Sequence, residues 1–301
     1  MSAPLERVWV VGEALMDLIP VAGGERRPMV GGGPANTAKA ISRLEYSTSF
    51  IGGISDDDYG NEINRELSDS GVDLSLVYRG KLPTALAIAT IDENGLAKYD
   101  FELEGTSSFA FDASWLPTGD VDVIHIGSVA TLLEPGATQL FQWIGGKSAP
   151  VVFDPNVRPS IQGDKSIYRR AVERWFDVAS VVKMSEDDLR WLYDEDEVAL
   201  VHSWIARGVS CVIVTRAEKG MTAYSADFVL HTDAVTVEVV DTVGAGDTIG
   251  AVVIEGLLRY GLTGLNQDSL SEVLTRAAKA ASITCSRAGA NPPWREELDR
   301  A

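Results

Sequence analysis

The sequence predicts an α/β protein with a mostly parallel sheet covered on both faces. Short β-branched runs recur at 8–11, 121–126, 151–153, 178–182 and 211–215, each bounded by polar, Gly or Pro residues. Stretches with helical periodicity fall between or beside them, at 36–44, 59–70, 167–176, 186–193 and 198–206. Alternating strand and helix builds right-handed βαβ units, in which helices cover both faces of the sheet. At 301 residues, 45% hydrophobic and 23% charged, the chain is within the range of α/β enzymes that fold around one large core.

In chain order, the first strand Val8-Trp-Val-Val11 ends at Gly12-Glu13, far short of the ~20 apolar residues of a membrane span. The opening Met-Ser-Ala-Pro-Leu-Glu-Arg lacks the apolar core of a secretion signal, so a cytoplasmic protein is expected. Segment 18–30, interrupted by Gly23-Gly-Glu-Arg-Arg-Pro28, reads as a hairpin. A second hairpin spans 84–105, with strands at 85–91 and 97–103 joined by Asp92-Glu-Asn-Gly95, where Asn-Gly supplies the positive φ of a tight turn. Hairpins inserted in a βαβ scaffold suggest a lid, against the plainer alternative of surface decoration. Further on, 248–260 is apolar with interspersed Gly and Ala and predicts a buried helix.

The charge narrows the partners. Twenty-six basic residues against 44 acidic ones leave a formal charge of −18, which argues against binding nucleic acid or an anionic membrane. An anionic substrate would have to be held by local dipoles, individual Lys or Arg residues and metal ions. Two cysteines, Cys211 and Cys285, have no neighbours at metal-ligand spacing and read as buried free thiols.

Two glycine segments carry the chemistry. Asp241-Thr-Val-Gly-Ala-Gly-Asp247 leads into the 248–260 helix, so Gly244, Ala245, Gly246 and Asp247 sit at a helix start. Free N–H groups and the positive end of the dipole make such a turn an anion site, and bare glycine backbone lets a phosphate approach. An Asp in a first helical turn is also an ordinary stabilising choice. Beside an anion site, however, a carboxylate can take a hydroxyl proton while the amides stabilise a transferring phosphoryl group.

The second segment, Gly31-Gly-Gly-Pro-Ala-Asn36-Thr-Ala38, is either a capped turn or a backbone surface for a polyhydroxyl ligand, with the Asn36 amide fixing one hydroxyl. Asp17 follows the first strand, where the ligands of open parallel sheets gather. Competing motifs are missing. Gly146-Lys-Ser148 has Phe141 where a Walker A loop needs Gly, and no dinucleotide fingerprint, nucleophile elbow or His-Glu-x-x-His occurs. His125, in Val-Ile-His-Ile-Gly, reads as a satisfied strand histidine.

Together these segments closely resemble the two signatures of the ribokinase-like, or PfkB, carbohydrate kinase family. Asp154-Pro-Asn156-Val-Arg158-Pro, Lys183-Met-Ser-Glu-Asp-Asp188, Val214-Thr215-Arg-Ala-Glu-Lys-Gly220 and Ser286-Arg-Ala-Gly-Ala-Asn-Pro extend the likeness over almost the whole chain, in order and spacing.

The resemblance implies a three-layer αβα fold, mostly parallel in its central sheet, with a small β lid formed by the two hairpins. It implies an ATP-dependent sugar kinase in which Asp247 is the base and Gly244, Ala245, Gly246 and Asp247 form the anion hole. By the same likeness Asp17, Gly32, Gly33, Asn36 and Asn156 bind sugar, Tyr99 and Phe101 reach down from the lid, and Arg158 meets the transferring group. Lys183, Ser185, Asp188, Thr215, Ala217 and Gly220 would serve ATP, with Ala278 and Ala281 against adenine.

Magnesium is expected through Ser185 and Asp188, where the sequence departs from the family's Asn-x-x-Glu; Ala217 stands where the family has Gly. Potassium would sit beside Asp241 and main-chain carbonyls near Val243, Thr284, Arg287 and Gly289. The expected partners are ATP and a small sugar, and the family admits a homodimer.

Within the family, Gly-Glu-x-x-x-Asp and Gly-Gly-Pro-Ala-Asn-Thr-Ala look like fructokinases and 2-keto-3-deoxygluconate kinases rather than ribokinases. The strand Lys98-Tyr-Asp-Phe-Glu-Leu-Glu104 lacks the Arg that acid-sugar enzymes place there and carries Glu102 and Glu104, which disfavours an anionic sugar. Fructose is therefore the expected substrate, phosphorylated on its 6-hydroxyl, with 2-keto-3-deoxygluconate and ribose as runners-up. A non-catalytic sugar-binding regulator would be expected to lose the base or the anion hole; ADP release separates it from a kinase.

Overall fold

The structure, a computed structural model, describes residues 6–21, 23–91 and 97–300. The expected 92–95 turn lies outside the described residues. β1 (Arg7–Val11) is buried at four successive positions, as a strand covered on both faces must be. β2 (Leu15–Pro20) and β3 (Arg26–Gly31) form the first hairpin, followed by α1 (Gly33–Arg43), whose first turn holds Pro34, where a missing N–H costs no helical bond. β4 (Ser47–Ile51), β5 (Gly53–Ser55), α2 (Asp58–Asp69) and β6 (Tyr78–Gly80) come next. β7 (Leu86–Ile91) and β8 (Ala97–Glu102) form the second hairpin.

Strand and helix then alternate through β9 (Val123–Gly127), α3 (Gly136–Gly145), β10 (Val151–Asp154), α4 (Lys165–Glu173), β11 (Val181–Ser185), α5 (Glu186–Leu192), α6 (Glu197–Ala206) and β12 (Cys211–Thr215). The chain closes with β13 (Met221–Tyr224), β14 (Val229–Thr232), α7 (Ala245–Tyr260), α8 (Gln267–Cys285) and α9 (Arg295–Arg300).

Eight strands form the main sheet in the order β14-β13-β12-β11-β10-β9-β1-β4. All neighbours from β4 to β12 are parallel, and β13 and β14 extend one edge antiparallel. The two hairpins do not stand apart. β2 runs parallel to β7, with Asp17 opposite Ala87, and so joins them in a four-stranded sheet of order β3-β2-β7-β8.

Side chains alternate across the main sheet and build a core on each face. Val10, Val152, Val181 and Ile213 face α1, α7 and α8 and pack with Ile41, Val252 and Leu274. Val11, Ile124, Phe153, Val182 and Val212 face the other layer and pack with Leu140, Trp175 and Trp204. Leu15, Ala85, Ala87, Leu103 and Val129 form a smaller cluster beneath the second sheet.

Several local expectations shift. The strand expected at 178–182 begins only at Val181, because the N–H groups of Val178 and Ala179 return to the Trp175 carbonyl and are lost to the ladder. β4 escapes a hydrophobicity reading because Ser47, Thr48 and Ser49 fill its first half. Cys211 is buried as expected, whereas Cys285 is only half-buried; both are free thiols. No helix among the described residues is long and apolar enough to cross a membrane.

Phe153 tests the packing of the helix layer opposite α7. It is fully buried, stacks on Trp175 at a centroid distance of 6.0 Å and meets Phe176 edge-on at 5.8 Å. Phe153→Ala is expected to cost about 3–5 kcal/mol in urea unfolding, the range for emptying a buried aromatic site. A loss under about 1 kcal/mol would mean that the layer repacks.

Candidate active site

The C-terminal ends of parallel strands form the crevice in which open α/β sheets bind ligands, and α7 starts there. Gly244 begins the helix at φ 78°, ψ −2°. A Cβ at this position would lie 2.6 Å from that of Ala290, so both conformation and space require glycine. The Ala245 N–H donates to the Thr242 carbonyl at 3.3 Å and that of Thr248 to the Gly244 carbonyl at 2.9 Å. Between them, the N–H groups of Gly246 and Asp247 have no acceptor among the described residues. The Gly244 N–H is likewise without an acceptor among the described residues, so a turn engages only Ala245 of the four expected amides.

The Asp247 carboxylate lies where three loops converge. Asn36, in the first turn of α1, donates from Nδ2 to Asp247 Oδ2 at 2.9 Å, while its own Oδ1 is buried without a partner among the described residues. A Cβ on Gly33 would fall 2.6 Å from Asn156 Nδ2 and 3.4 Å from Asp247 Oδ1. Glycine at 33 therefore keeps open the space between amide and carboxylate. Asn156 holds φ 40°, a left-handed conformation that Asn tolerates better than most residues.

Asp17 projects from β2 across Gly31, where any side chain would strike its carboxylate. Both acids are hard to ionise. Burial pushes Asp17 up to about 6, with Arg158 pulling it back and Asp247 adding to the rise. Burial likewise pushes Asp247 to about 6, against the opposing charge of Lys183. Arg158 folds over its own loop, donating to the carbonyls of Asn156 and Val157 at 3.3 and 3.0 Å. From the four-stranded sheet, Tyr99 and Phe101 stack at 6.2 Å, and burial and the Asp17 charge raise the Tyr99 phenol. Gly32, at φ 103°, leaves no room for a Cβ against the Glu13 carbonyl 2.6 Å away. The expected sugar residues are brought together.

The expected nucleotide residues are more scattered in role. Lys183 is not presented to a ligand: it is buried, with Nζ 2.6 Å from Asp154 Oδ2 and 3.2 Å from the Gly246 carbonyl. Ser185 and Asp188 form a capping box at the start of α5, and Asp188 also accepts the Val157 N–H at 3.0 Å. Thr215 ends β12, and Ala217, at φ 49°, and Gly220, at φ 82°, shape the turn into β13. Ala217 adopts the left-handed conformation that its methyl group disfavours. Ala281 is half-buried on α8, but Ala278, 5% exposed, belongs to the core and offers adenine no surface.

Of the potassium set, Asp241 accepts the N–H groups of Val243 and Gly289, at 3.0 and 2.8 Å, which closes the 241–289 loop pair. The Thr284 hydroxyl is buried against Thr248 at 3.0 Å, and the Arg287 guanidinium pairs with Glu297.

Two corrections concern electrostatics. His125 sits in β9 but is not satisfied: it is 2% exposed and neither ring nitrogen has a partner among the described residues. Burial therefore lowers it to about 4 and keeps it neutral. Glu102 and Glu104 are exposed, and strand alternation puts Glu102 on the face opposite Tyr99 and Phe101. They do not line the site, so the missing Arg alone bears on sugar charge.

Sequence reasoning assigned no role to Asp154, Glu13 or Ser128. Asp154 had a signal in its position at a strand's C-terminal end. Glu13 is buried, and its Oε2 accepts the Ala130 N–H at 3.2 Å. Ser128 holds φ 56° beside Gly33, which no local sequence feature announces.

The chain is similar to known proteins over almost its whole length. Residues 5–297 match the profile of the pfkB family carbohydrate kinases. The fructokinase of Rhizobium leguminosarum bv. trifolii is 33% identical over 82% of this chain and 78% of its own. That of Escherichia coli is 28% identical over 97% and 98%. The fructokinase of Vibrio cholerae O395, in a crystal form with fructose, ADP and calcium ion, superposes with a TM-score of 0.84 at 26% identity, covering 95% of this chain and 94% of that one.

Asn36 offers a direct check on the site. Its amide stabilises the ionised form of Asp247, so Asn36→Ala is expected to move the Asp247 titration above about 6. Carbon-13 NMR of the side-chain carboxylates reads this. An unmoved titration would remove Asn36 as the partner of that carboxylate.

Proposed function

We infer the activity of this chain from a fixed premise: it belongs to the pfkB family of carbohydrate kinases. It transfers the γ-phosphoryl group of ATP to the 6-hydroxyl of D-fructose, as its fructokinase relatives support. The observation that carries the mechanism is one residue's double role: Asp247 offers a carboxylate to the Gly33–Asn156 space and an unengaged N–H at the head of α7. Its Oδ1 takes the hydroxyl proton, while the N–H groups of Gly246 and Asp247 stabilise charge on the phosphoryl group. Asp17 accepts hydrogen bonds from neighbouring hydroxyls, Asn156 and the free Asn36 Oδ1 orient the sugar, and Arg158 swings from its carbonyls to the phosphates.

The whole chain acts as one kinase domain. The sheet β3-β2-β7-β8 serves as its lid, with Tyr99 and Phe101 excluding water above the sugar. Exposed Val235, Val239 and Val240, between β14 and α7, with Ala281 and the turn at Thr215, Ala217 and Gly220, give adenine an apolar bed.

Magnesium on the nucleotide neutralises charge on the phosphates. Asp188 fits it through water, since each carboxylate oxygen accepts a single backbone N–H and keeps a lone pair. Asp241 and the carbonyls near Val243, Thr284, Arg287 and Gly289 suit potassium, an oxygen-only set. The edge strands β3 and β8 leave backbone groups for a second copy, and an ATP-dependent sugar kinase suits the cytoplasm.

A coupled ADP-release screen over fructose, tagatose, ribose, 2-keto-3-deoxygluconate and adenosine is expected to show fructose as the best substrate. Efficient turnover of another sugar, with fructose inert, would overturn the assignment. Asp247→Asn is expected to lower kcat by a factor on the order of 10² or more; near-normal turnover would remove Asp247 as the base.

The same residue sets a pH dependence. The base works ionised, so kcat should fall as pH drops through about 6. Asp17 and Asp247 bind protons more tightly folded, at about 6, than at the ordinary 3.8 of the unfolded chain. Their favourable contribution is full below 3.8 and lost as pH rises through about 6, leaving charged forms that cost stability at neutral pH. Asp247→Asn should therefore raise Tm at pH 7, by about 2–4 °C per kcal/mol recovered, while activity collapses. A lowered Tm would mark Asp247 as a structural cap.

A further inference from the structure

An amide that stabilises a phosphoryl group is only as well aimed as the peptide carrying it. A trans peptide directs its C=O and N–H in opposite senses, so whatever holds the Gly246 carbonyl also aims the Asp247 N–H. Within α7 the helical ladder turns that carbonyl along the axis, and Lys183 adds a side-chain hold: Nζ donates to the Gly246 carbonyl at 3.2 Å and to Asp154 Oδ2 at 2.6 Å. A Cβ on Gly246 would lie 3.0 Å from that nitrogen, so the ammonium sits against the residue it secures. The other Asp154 oxygen accepts the Asn156 N–H at 3.1 Å, which ties the pair to the loop bearing Asn156 and Arg158.

Strand register explains how the pair arises. Val152 lies opposite Val181 and Phe153 opposite Val182, so the next residues, Asp154 and Lys183, are neighbours on the face that α7 covers. His125 occupies the same face on β9, opposite Val152, and being neutral supplies no competing charge.

A buried ion pair seldom stabilises a fold more than apolar side chains of similar volume would. Lys183 and Asp154 are each 5% exposed, at positions where valine would pack without desolvation cost. Stability therefore does not account for them, whereas the contact with Gly246 does. We propose that Lys183 and Asp154 are positioning residues that lock the Gly246–Asp247 peptide with its N–H toward the transferred phosphoryl group, rather than ligands of the nucleotide. This deepens the kinase reading and rests on it. Asp247 is faced by Lys183, Asp154, Arg158 and Asp17 as charges and by Asn36 as a donor.

The test uses a double variant, Lys183→Met with Asp154→Asn, because Lys183→Met alone would strand a buried carboxylate. Thermal melting establishes that it folds. Loss of one aimed donor is expected to lower kcat on the order of 10²-fold, with KM for ATP and sugar changed less than about threefold. Lys183→Arg, which keeps a donor and the ion pair, is expected to recover at least about tenfold of that loss.

Calorimetry gives an arm independent of turnover. Affinity for magnesium ADP with aluminium fluoride, a phosphoryl mimic, should fall on the order of 10²-fold relative to magnesium ADP alone. A folded double variant with kcat within about threefold of the parent, or equal weakening of ADP with and without fluoride, would overturn the proposal; the second result would make Lys183 a nucleotide ligand. If the parent fails to phosphorylate fructose, the substrate assignment falls, while the fluoride ratio still decides the lock.

Discussion

Two demands meet at the head of α7. Its first turn must stay open, because only unengaged N–H groups can receive an anion, and yet the helix must be fixed firmly enough that those groups point one way. The structure meets both by packing the body of α7 against α8 and holding its tip through a carbonyl and a carboxylate, which leaves N–H groups of the first turn unengaged. Gly256 lets α8 pack close, since a Cβ there would lie 2.5 Å from the Val273 side chain. Thr248 and Thr284 join hydroxyls across the same interface, and the buried Glu255 carboxylate is held by Arg276 at 2.7 Å. What converges on Asp247 depends on this anchorage, because α1 reaches it by one hydrogen bond, from Asn36, and β11 reaches the adjoining Gly246 carbonyl by one, from Lys183.

The site also concentrates negative charge in a chain that already carries −18. Glu13, Asp17, Asp154, Asp188 and Asp247 cluster around two cations, Lys183 and Arg158. Burial raises the proton affinity of Glu13, Asp17, Asp188 and Asp247. For Lys183, burial alone would favour the neutral amine, but Asp154 and Asp247 outweigh it and keep the ammonium charged. The arrangement holds proton acceptors in a half-dry crevice at the expense of stability elsewhere in the fold, as active sites commonly do.

Much of this was legible in the sequence, for reasons that can be named. Parallel strands buried on both faces read as β-branched runs, so most of the main sheet declared itself. Gly-Ala-Gly-Asp at a helix start announced both unengaged N–H groups and a carboxylate, because those properties are local. What stayed hidden depends on contacts across the chain. Lys183 in Val-Val-Lys-Met-Ser was assigned to ATP by the family likeness, because only register sets it beside Asp154 beneath a helix. Asn36 was assigned to a sugar hydroxyl because nothing local brings it to Asp247, more than half the chain away. The union of the two hairpins through β2 and β7 was likewise invisible, since alternation identifies a strand and says nothing of its neighbour.

The position of β1 has a consequence for how the molecule comes into being. Although first in the sequence, β1 is an interior strand, between β4 and β9. Synthesis proceeds from the N-terminus, so one flank of β1 remains open on the ribosome until β9 has emerged. From there the sheet grows one strand at a time to β14, and α7 and α8 arrive last to seal the face that β1, β10 and β11 have left exposed. The loops that converge on Asp247 thus all precede, in order of synthesis, the helix that brings it, so the crevice closes around its carboxylate only at the last stage.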